Sequence, residues 1–317
     1  MQPPAPLPDP PLALVTGATG FVARTLIPAL RAHGYRVRAA LRSPCDGPWD
    51  ESVVVGDLNN FVDWGPATAG VDAIWHLAAR VHVMRETEAD PLQAFRRVNV
   101  ERTADLCAAA RVSGVRRLVY LSSIKVNGEQ TQPGRPFRPD DTPAPHDAYG
   151  VSKLEAEQAI RASGIESAIV RPPLIYGPGV GANFAQLVSA VSKGYLLPLG
   201  SVDNRRDLVF VGNLVDALVR IGEHPRAAGR TFLISDRAPM STPELIRHIA
   251  HALQKRERLL RVPSPLLLGA LTLLGKREEA QRLLGSLEVD TSDLVETLSW
   301  QPPYTVAEGL RATVGGR

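Results

Sequence analysis

Tyr149 and Lys153 stand four residues apart, and Ser123 comes 26 residues (149 − 123) before the tyrosine. In a helix, side chains spaced by four share one face. An ammonium beside a phenol favours the phenolate by Coulomb attraction, which brings a tyrosine towards a usable acid/base. A serine hydroxyl can hold the same substrate oxygen. Such a set can deprotonate an alcohol, or protonate an alkoxide, while a hydride moves to or from a nicotinamide.

Hydride chemistry needs a dinucleotide site, and the chain opens with a candidate. Leu12-Ala13-Leu14-Val15-Thr16 reads as a buried strand and runs into Gly17-Ala18-Thr19-Gly20-Phe21-Val22-Ala23. Small residues there let the backbone turn sharply and approach a pyrophosphate, and the helix that follows offers its positive N-terminus. Between a strand and a helix the turn has the context of a dinucleotide fingerprint, with Ala23 where a third glycine is common. The end of the second strand bears on the cofactor type. It reads Ala40-Leu41-Arg42-Ser43, with no acid to bind a ribose 2′-hydroxyl and with Arg42 suited to a 2′-phosphate. The expectation is NADP(H) preferred and NAD(H) allowed.

These residues need a scaffold. Strands are predicted at 12–16, 37–41, 53–55, 73–77, 118–121 and 168–170, and helices at 22–33, 91–113 and 148–162. Near-continuous apolar strands alternating with helices predict a parallel sheet covered on both faces, a Rossmann-type doubly wound α/β fold. The sheet places Ser122-Ser123 at the carboxyl end of the fifth strand, the edge where such folds bind ligands. After residue 173 glycine and proline cluster and the pattern turns mostly helical, clearest at 242–253 and 265–284. The expected division is a tail at 1–11, a cofactor domain at 12–173 and a smaller, mostly helical substrate domain at 174–317. Part of 206–234 is expected to return to the first domain.

Composition narrows the function classes. The chain has 317 residues, 44% hydrophobic and 22% charged, an ordinary globular balance. Two cysteines are too few for a disulfide framework or a cysteine-rich zinc site, and the seven histidines form no metal-binding motif. His76, at the end of a strand, is expected to pack or hydrogen-bond. The net charge of +3 comes from scattered arginines without a basic run, so no nucleic-acid partner is expected. The proline-rich start lacks the apolar core of a signal peptide and reads as a flexible lead-in. The apolar run 266–274 is far short of the ~20 residues that span a bilayer and reads as core or a subunit contact. The expectation is a cytoplasmic protein without a membrane partner or a metal, with a homodimer allowed.

Taken together, TGATGFVA (16–23), Gly56-Asp57-Leu58, His76-Leu77-Ala78-Ala79, Asn99, Ser122-Ser123, Tyr149 to Lys153, Arg171-Pro172 and Arg206 to Val211 resemble the extended short-chain dehydrogenases/reductases of the NAD-dependent epimerase/dehydratase type. The resemblance spans most of the chain. It implies that Gly17, Thr19, Gly20, Phe21 and Val22 hold the pyrophosphate side of the cofactor, and that Asp57 and Leu58 hold the adenine. Leu77, Ala78 and Ala79 line the cofactor, with Asn99 and Ser122 among its contacts. Lys153 binds the nicotinamide ribose and Pro172 flanks the nicotinamide. Ser123, rather than Ser122, takes the catalytic serine position beside Tyr149 and Lys153. Arg206 grips the diphosphate of a nucleotide sugar, and Asn183 lies near it.

Dehydratases of this family carry an acidic pair just after the catalytic serine or threonine, where this chain has Ile124-Lys125. A lysine does not replace a carboxylic acid there, which disfavours a 4,6-dehydratase. The segment SSIKVNGE, with GSLEVDTS at 285–292, resembles bacterial reductases of UDP-4-keto-6-deoxy-N-acetylhexosamines that serve surface-polysaccharide synthesis. The expectation is a nucleotide-sugar 4-ketoreductase. The alternatives are an NAD-dependent nucleotide-sugar 4-epimerase and a non-enzymatic NADP-sensing regulator on the same fold.

Overall fold

Strands apolar on both faces need cover on both faces, and this chain supplies it from two directions. The computed structural model describes residues 10–81, 90–273, 275 and 283–315. The expected tail falls largely on residues 1–9, which lie outside the described residues. Seven parallel strands form one sheet in the order β3-β2-β1-β4-β5-β6-β9. They are β1 (Leu12–Thr16), β2 (Arg36–Leu41), β3 (Glu51–Val54), β4 (Ala73–His76), β5 (Arg117–Leu121), β6 (Ser167–Arg171) and β9 (Thr231–Leu233). A small two-stranded parallel sheet pairs β7 (Leu174–Tyr176) with β8 (Leu208–Phe210).

Side chains alternate across the sheet, as the pleat requires. Ala13, Val15, Trp75, Val119 and Val170 enter one core with Leu26, Ile27 and Leu30 of α1 (Ala23–Ala32) and Leu214 and Leu218 of α7 (Val211–Glu223). Leu14, Ile74, Leu118, Tyr120 and Ile169 enter the other. That core includes Leu106 and Ala110 of α4 (Arg102–Val112) and Ala156 and Ile160 of α5 (Ala148–Ser163). Fully burying one such aliphatic side chain stabilises the fold by roughly 1.5–3 kcal/mol. The Trp75 indole N–H donates to the Leu218 carbonyl at 3.0 Å, so α7 is fastened to the back of β4. The strand order turns back between β1 and β4, opening a crevice at their carboxyl ends.

Three sequence readings are met in part. The helix predicted over 91–113 is helical throughout 91–112, as α3 (Pro91–Arg96), a π-helical turn (Arg97–Glu101) and α4 in succession. The segment predicted as helix over 265–284 is described as α9 (Ser264–Leu273), and much of the remainder lies outside the described residues. Its apolar run, read as core or a subunit contact, is buried at Leu267, while Leu266 and Leu273 face solvent. The region beyond residue 173 otherwise carries α6 (Ala182–Ser192), α7, α8 (Thr242–Ala252), α10 (Ser292–Leu298) and α11 (Val306–Gly315), with β7, β8 and β9 between them.

Candidate active site

The crevice floor is built on Thr16, the last residue of β1. Its hydroxyl oxygen lies 3.2 Å from the main-chain N–H groups of both Leu77 and Ala78 and 2.6 Å from His76 Nδ1. An oxygen that accepts those N–H groups must give its own hydrogen to Nδ1. His76 Nε2 then carries the ring proton and donates to Thr103 Oγ1 at 2.8 Å. Burial, helped by the charge of Lys153, drops the His76 pKa to about 3, so the ring stays neutral. His76 hydrogen-bonds, and its two threonine partners went unread in the sequence.

Gly17 follows Thr16 with φ +66, and a Cβ on it would sit 2.9 Å from the Ala78 nitrogen. Both the left-handed conformation and the close approach of the two loops require glycine there. The next turn closes through a Gly20 N–H bond to the Gly17 carbonyl at 2.9 Å. Thr19 and Gly20 are exposed, Phe21 is half-buried, and Val22 caps α1 without a side-chain hydrogen bond. A glycine turn against β4, feeding a helix start that no side chain caps, fits an anionic pyrophosphate.

Leu77, Ala78 and Ala79 form the half-exposed opposite wall. Asn99 fixes that wall from the π-helical turn. Its carboxamide oxygen accepts the Arg80 N–H at 2.8 Å, and its nitrogen donates to the Arg80 carbonyl and to Ser152 Oγ, each at 3.0 Å. Asn99 is buried and its polar atoms are engaged by protein, so its part in a cofactor site is to hold the loop. At the far end, Arg42 is exposed after β2, near Asp57. Asn59 donates its backbone and side-chain N–H to Asp57 at 2.9 and 2.8 Å. Those bonds, with a smaller attraction from Arg42, hold the Asp57 carboxyl below its ordinary range. Leu58 is half-buried beside them.

The two serines after β5 face opposite ways. Ser122 donates to Glu157 at 2.6 Å. That carboxylate also takes a bidentate pair from Arg171 at 2.9 and 2.7 Å, and Arg171 reaches Asn127 at 2.9 Å. Glu157 continues the face of Tyr149 and Lys153 at the next four-residue step and is fully buried. The Ser122 side chain is therefore committed to the core, and only its main chain remains for a cofactor. Ser123 Oγ accepts the Lys125 N–H at 3.3 Å and hydrogen-bonds Tyr149. Tyr149 packs edge-on against Phe95 at 5.9 Å.

Lys153 follows Tyr149 by one turn on the same face of α5. Its ammonium donates to the Leu121 carbonyl at 2.7 Å and sits 4.0 Å from the centre of the Tyr120 ring. Burial lowers its pKa to about 7 against the pull of Glu157. Tyr149 moves the other way. Burial and then the Asp147 carboxylate raise it to about 12, while the Ser123 hydrogen bond opposes them. The phenol therefore holds its proton more tightly than the Tyr149–Lys153 spacing predicts, because burial dominates. Pro172 is buried, and its carbonyl accepts the Ile124 N–H at 3.0 Å, tying the serine turn to the end of β6.

Lys125 makes ion pairs with Asp147 and, at 3.1 Å, with Glu129. Arg206 donates to the Gly285 carbonyl at 2.8 Å and its main chain bridges Met240 and Leu287, while Asn183 is exposed near the start of α6. The fold joins Ser123 to Tyr149 by a hydrogen bond and sets Lys153 one turn further along the same face of α5. The described residues do not bring together three or more His, Cys, Asp or Glu side chains fit to hold a metal ion. No described helix is long and apolar enough to cross a membrane.

This arrangement has close relatives. A UDP-glucose 4-epimerase of Vibrio cholerae is 44% identical over 306 residues, covering 95% of this chain and 93% of the relative. A second UDP-glucose 4-epimerase, from Mycolicibacterium smegmatis, is 31% identical over 95% of this chain and 96% of its own. The structure of MoeE5 with UDP-glucuronic acid and NAD superposes with a TM-score of 0.76 at 25% identity, covering 96% of this chain and 98% of that one. The model of the NAD dependent epimerase/dehydratase family matches residues 13–235, and the chain belongs to that family.

Proposed function

We propose that this protein is an NAD-dependent epimerase that inverts C4 of a UDP-hexose. The observation that carries this reading is the 44% identity, over nearly the full length of both chains, to the Vibrio cholerae UDP-glucose 4-epimerase. It displaces the sequence-based preference for a 4-ketoreductase, which rested on the SSIKVNGE segment.

The residues of the crevice support such a cycle. Bound NAD supplies a hydride acceptor that can return the same hydride to the opposite face of the ring. Tyr149 takes the C4 hydroxyl proton and later gives it back. Ser123 donates to the same oxygen and restrains it as its charge changes. Lys153 holds a cation under the phenol and, as the family pattern has it, the nicotinamide ribose. Gly17, Gly20 and the start of α1 carry the pyrophosphate, and Asp57 with Leu58 the adenosine end. Arg206 meets the substrate diphosphate, with Asn183 alongside. In this reading 12–173 holds the cofactor and 174–317 the substrate, with β9 and α7 serving the first.

The adenosine end favours NAD over NADP. Arg42 is attracted to Asp57, and a 2′-phosphate brought to Arg42 would meet that carboxylate. NAD bound in the MoeE5 structure points the same way. The test is to incubate purified protein with UDP-glucose, and separately with UDP-N-acetylglucosamine, without added cofactor. Formation of the C4 epimer together with NAD released on denaturation supports the reading. Inertness towards both sugars, with stoichiometric NADPH oxidation on a UDP-4-keto-6-deoxy sugar, replaces it with the reductase.

A further inference from the structure

Lys125 follows Ser123 by two residues, and its side chain crosses to the start of the helix that carries Tyr149. Its ammonium is bonded to Asp147 and stands 3.1 Å from Glu129, with all three side chains 23% exposed. Asp147 is the N-cap of α5: its other oxygen accepts the Gly150 N–H at 2.7 Å. The main chains meet at the same place. A Cβ on Gly150 would lie 3.0 Å from the Lys125 carbonyl, and the Ala144 N–H donates to the Val126 carbonyl at 3.0 Å. An anion at a helix N-terminus is favourable for the helix. Two residues from a phenol that must lose its proton, the same anion works against the chemistry.

We propose that Lys125 is a positioning residue for Tyr149: it neutralises the capping carboxylate of Asp147 and ties it to the turn that carries Ser123. The helix keeps its cap, and the pull of that cap on the phenol, which still raises its proton affinity, is opposed by the ammonium paired with the same carboxylate. The inference rests on the reading of Tyr149 as the acid/base. The groups that face the phenol are Ser123 from the turn, Asp147 from the cap, Tyr120 from β5 and the uncharged Phe95 from α3, with Lys153 one turn along α5. Lys125 faces Asp147 and Glu129, and Glu129 in turn faces Arg206. Burial leaves Tyr149 with a strong hold on its proton, so one uncancelled negative charge at this distance has a large lever.

The experiment compares wild type, Lys125→Met, Lys125→Arg, Asp147→Asn and the double variant Lys125→Met/Asp147→Asn. Two readouts are taken: kcat against pH for UDP-hexose interconversion, and the tyrosinate absorbance of NAD-loaded protein against a Tyr149→Phe reference. Lys125→Met is expected to move the tyrosine limb up by about one pH unit, the lower end of what a near charge does. Lys125→Arg restores it. Asp147→Asn keeps a good N-cap and moves the limb down. In the Asp147→Asn background the Lys125→Met shift shrinks to less than half. A purely structural Lys125 would lower kcat and Tm in Lys125→Met while the limb stayed in place, and that result overturns the proposal. So does a shift of undiminished size without Asp147. A wild type that turns over no UDP-hexose fails the functional reading alone, because the tyrosinate titration still reports on Lys125.

Discussion

At the β1–β4 end of the crevice, position is set by main chain and by fully engaged polar groups. Thr16 joins two loops, Gly17 lets them touch, and Asn99 spends its carboxamide on Arg80 and Ser152. Around Arg206, at the other end, strands give way to isolated bridges to Met240 and Leu287, and the guanidinium donates to the Gly285 carbonyl and feels the Glu129 carboxylate. The first end can hold one rigid ligand and little else. The second can be rebuilt by changing loops while the sheet stays intact. A common cofactor with a variable substrate calls for that division.

The sharpest way to break this account is to remove the proposed proton donor beside that end of the crevice. Tyr149→Phe keeps the ring and its contact with Phe95, and is expected to lower kcat by about 10³-fold or more, an acid/base contribution of ordinary size. NAD content on purification should be unchanged. A variant with near-normal turnover would remove Tyr149 from the mechanism.

The serines offer the next test, since neighbours in sequence should fail in different ways. If Ser123 donates to the reacting oxygen as proposed, Ser123→Ala should cost about 10²-fold in kcat with little change in Tm. Ser122→Ala leaves Glu157 short of a partner in the core. It should cost about 1–3 kcal/mol of stability, as loss of a buried hydrogen bond does, with most of the turnover retained. The reverse pattern would exchange their roles.

Arg206→Ala probes the variable end. If the guanidinium meets a diphosphate in ground and transition state alike, KM for a UDP-hexose should rise about tenfold at unchanged kcat. A fall in kcat at unchanged KM would place Arg206 in the chemistry instead.

The smallest effect is on stability. Lys153 has a folded pKa of about 7, below its ordinary 10.5. Between those values the unfolded chain binds the extra proton, so stability attributable to this group rises with pH over that window. The Tm of wild type minus that of Lys153→Met should therefore increase from about pH 7 to pH 9. A difference that is flat or falls would mean that the buried amine keeps its proton throughout.

The same comparison explains what was legible in the sequence. The first six strands of the large sheet read to within one or two residues, because all but the edge strand β3 are largely buried runs rich in apolar residues. β7, β8 and β9 have three residues each. A run that short carries no period, and these strands exist because β6 and each other offer edges to pair with. The π-helical turn escaped notice because its cause is tertiary: Asn99 is drawn to a loop nearly twenty residues away. Tyr149, Lys153 and Ser123 were legible as a spacing. The Glu157–Arg171 pair beneath them was not, although Glu157 falls on the next four-residue step of the same helix face. The proton affinity of Tyr149 was misjudged because burial, which a sequence does not display, sets it, with the Asp147 carboxylate adding to it.

The central claim is that one hydride leaves C4 and returns to it without exchange. UDP-glucose carrying deuterium at C4 tests this directly, with protein as purified in ordinary water and no added cofactor. The account predicts UDP-galactose with the deuterium retained at C4, and the remaining UDP-glucose retaining it too. Epimer that has lost the label to water, or label appearing in free NADPH with no epimer formed, would contradict it.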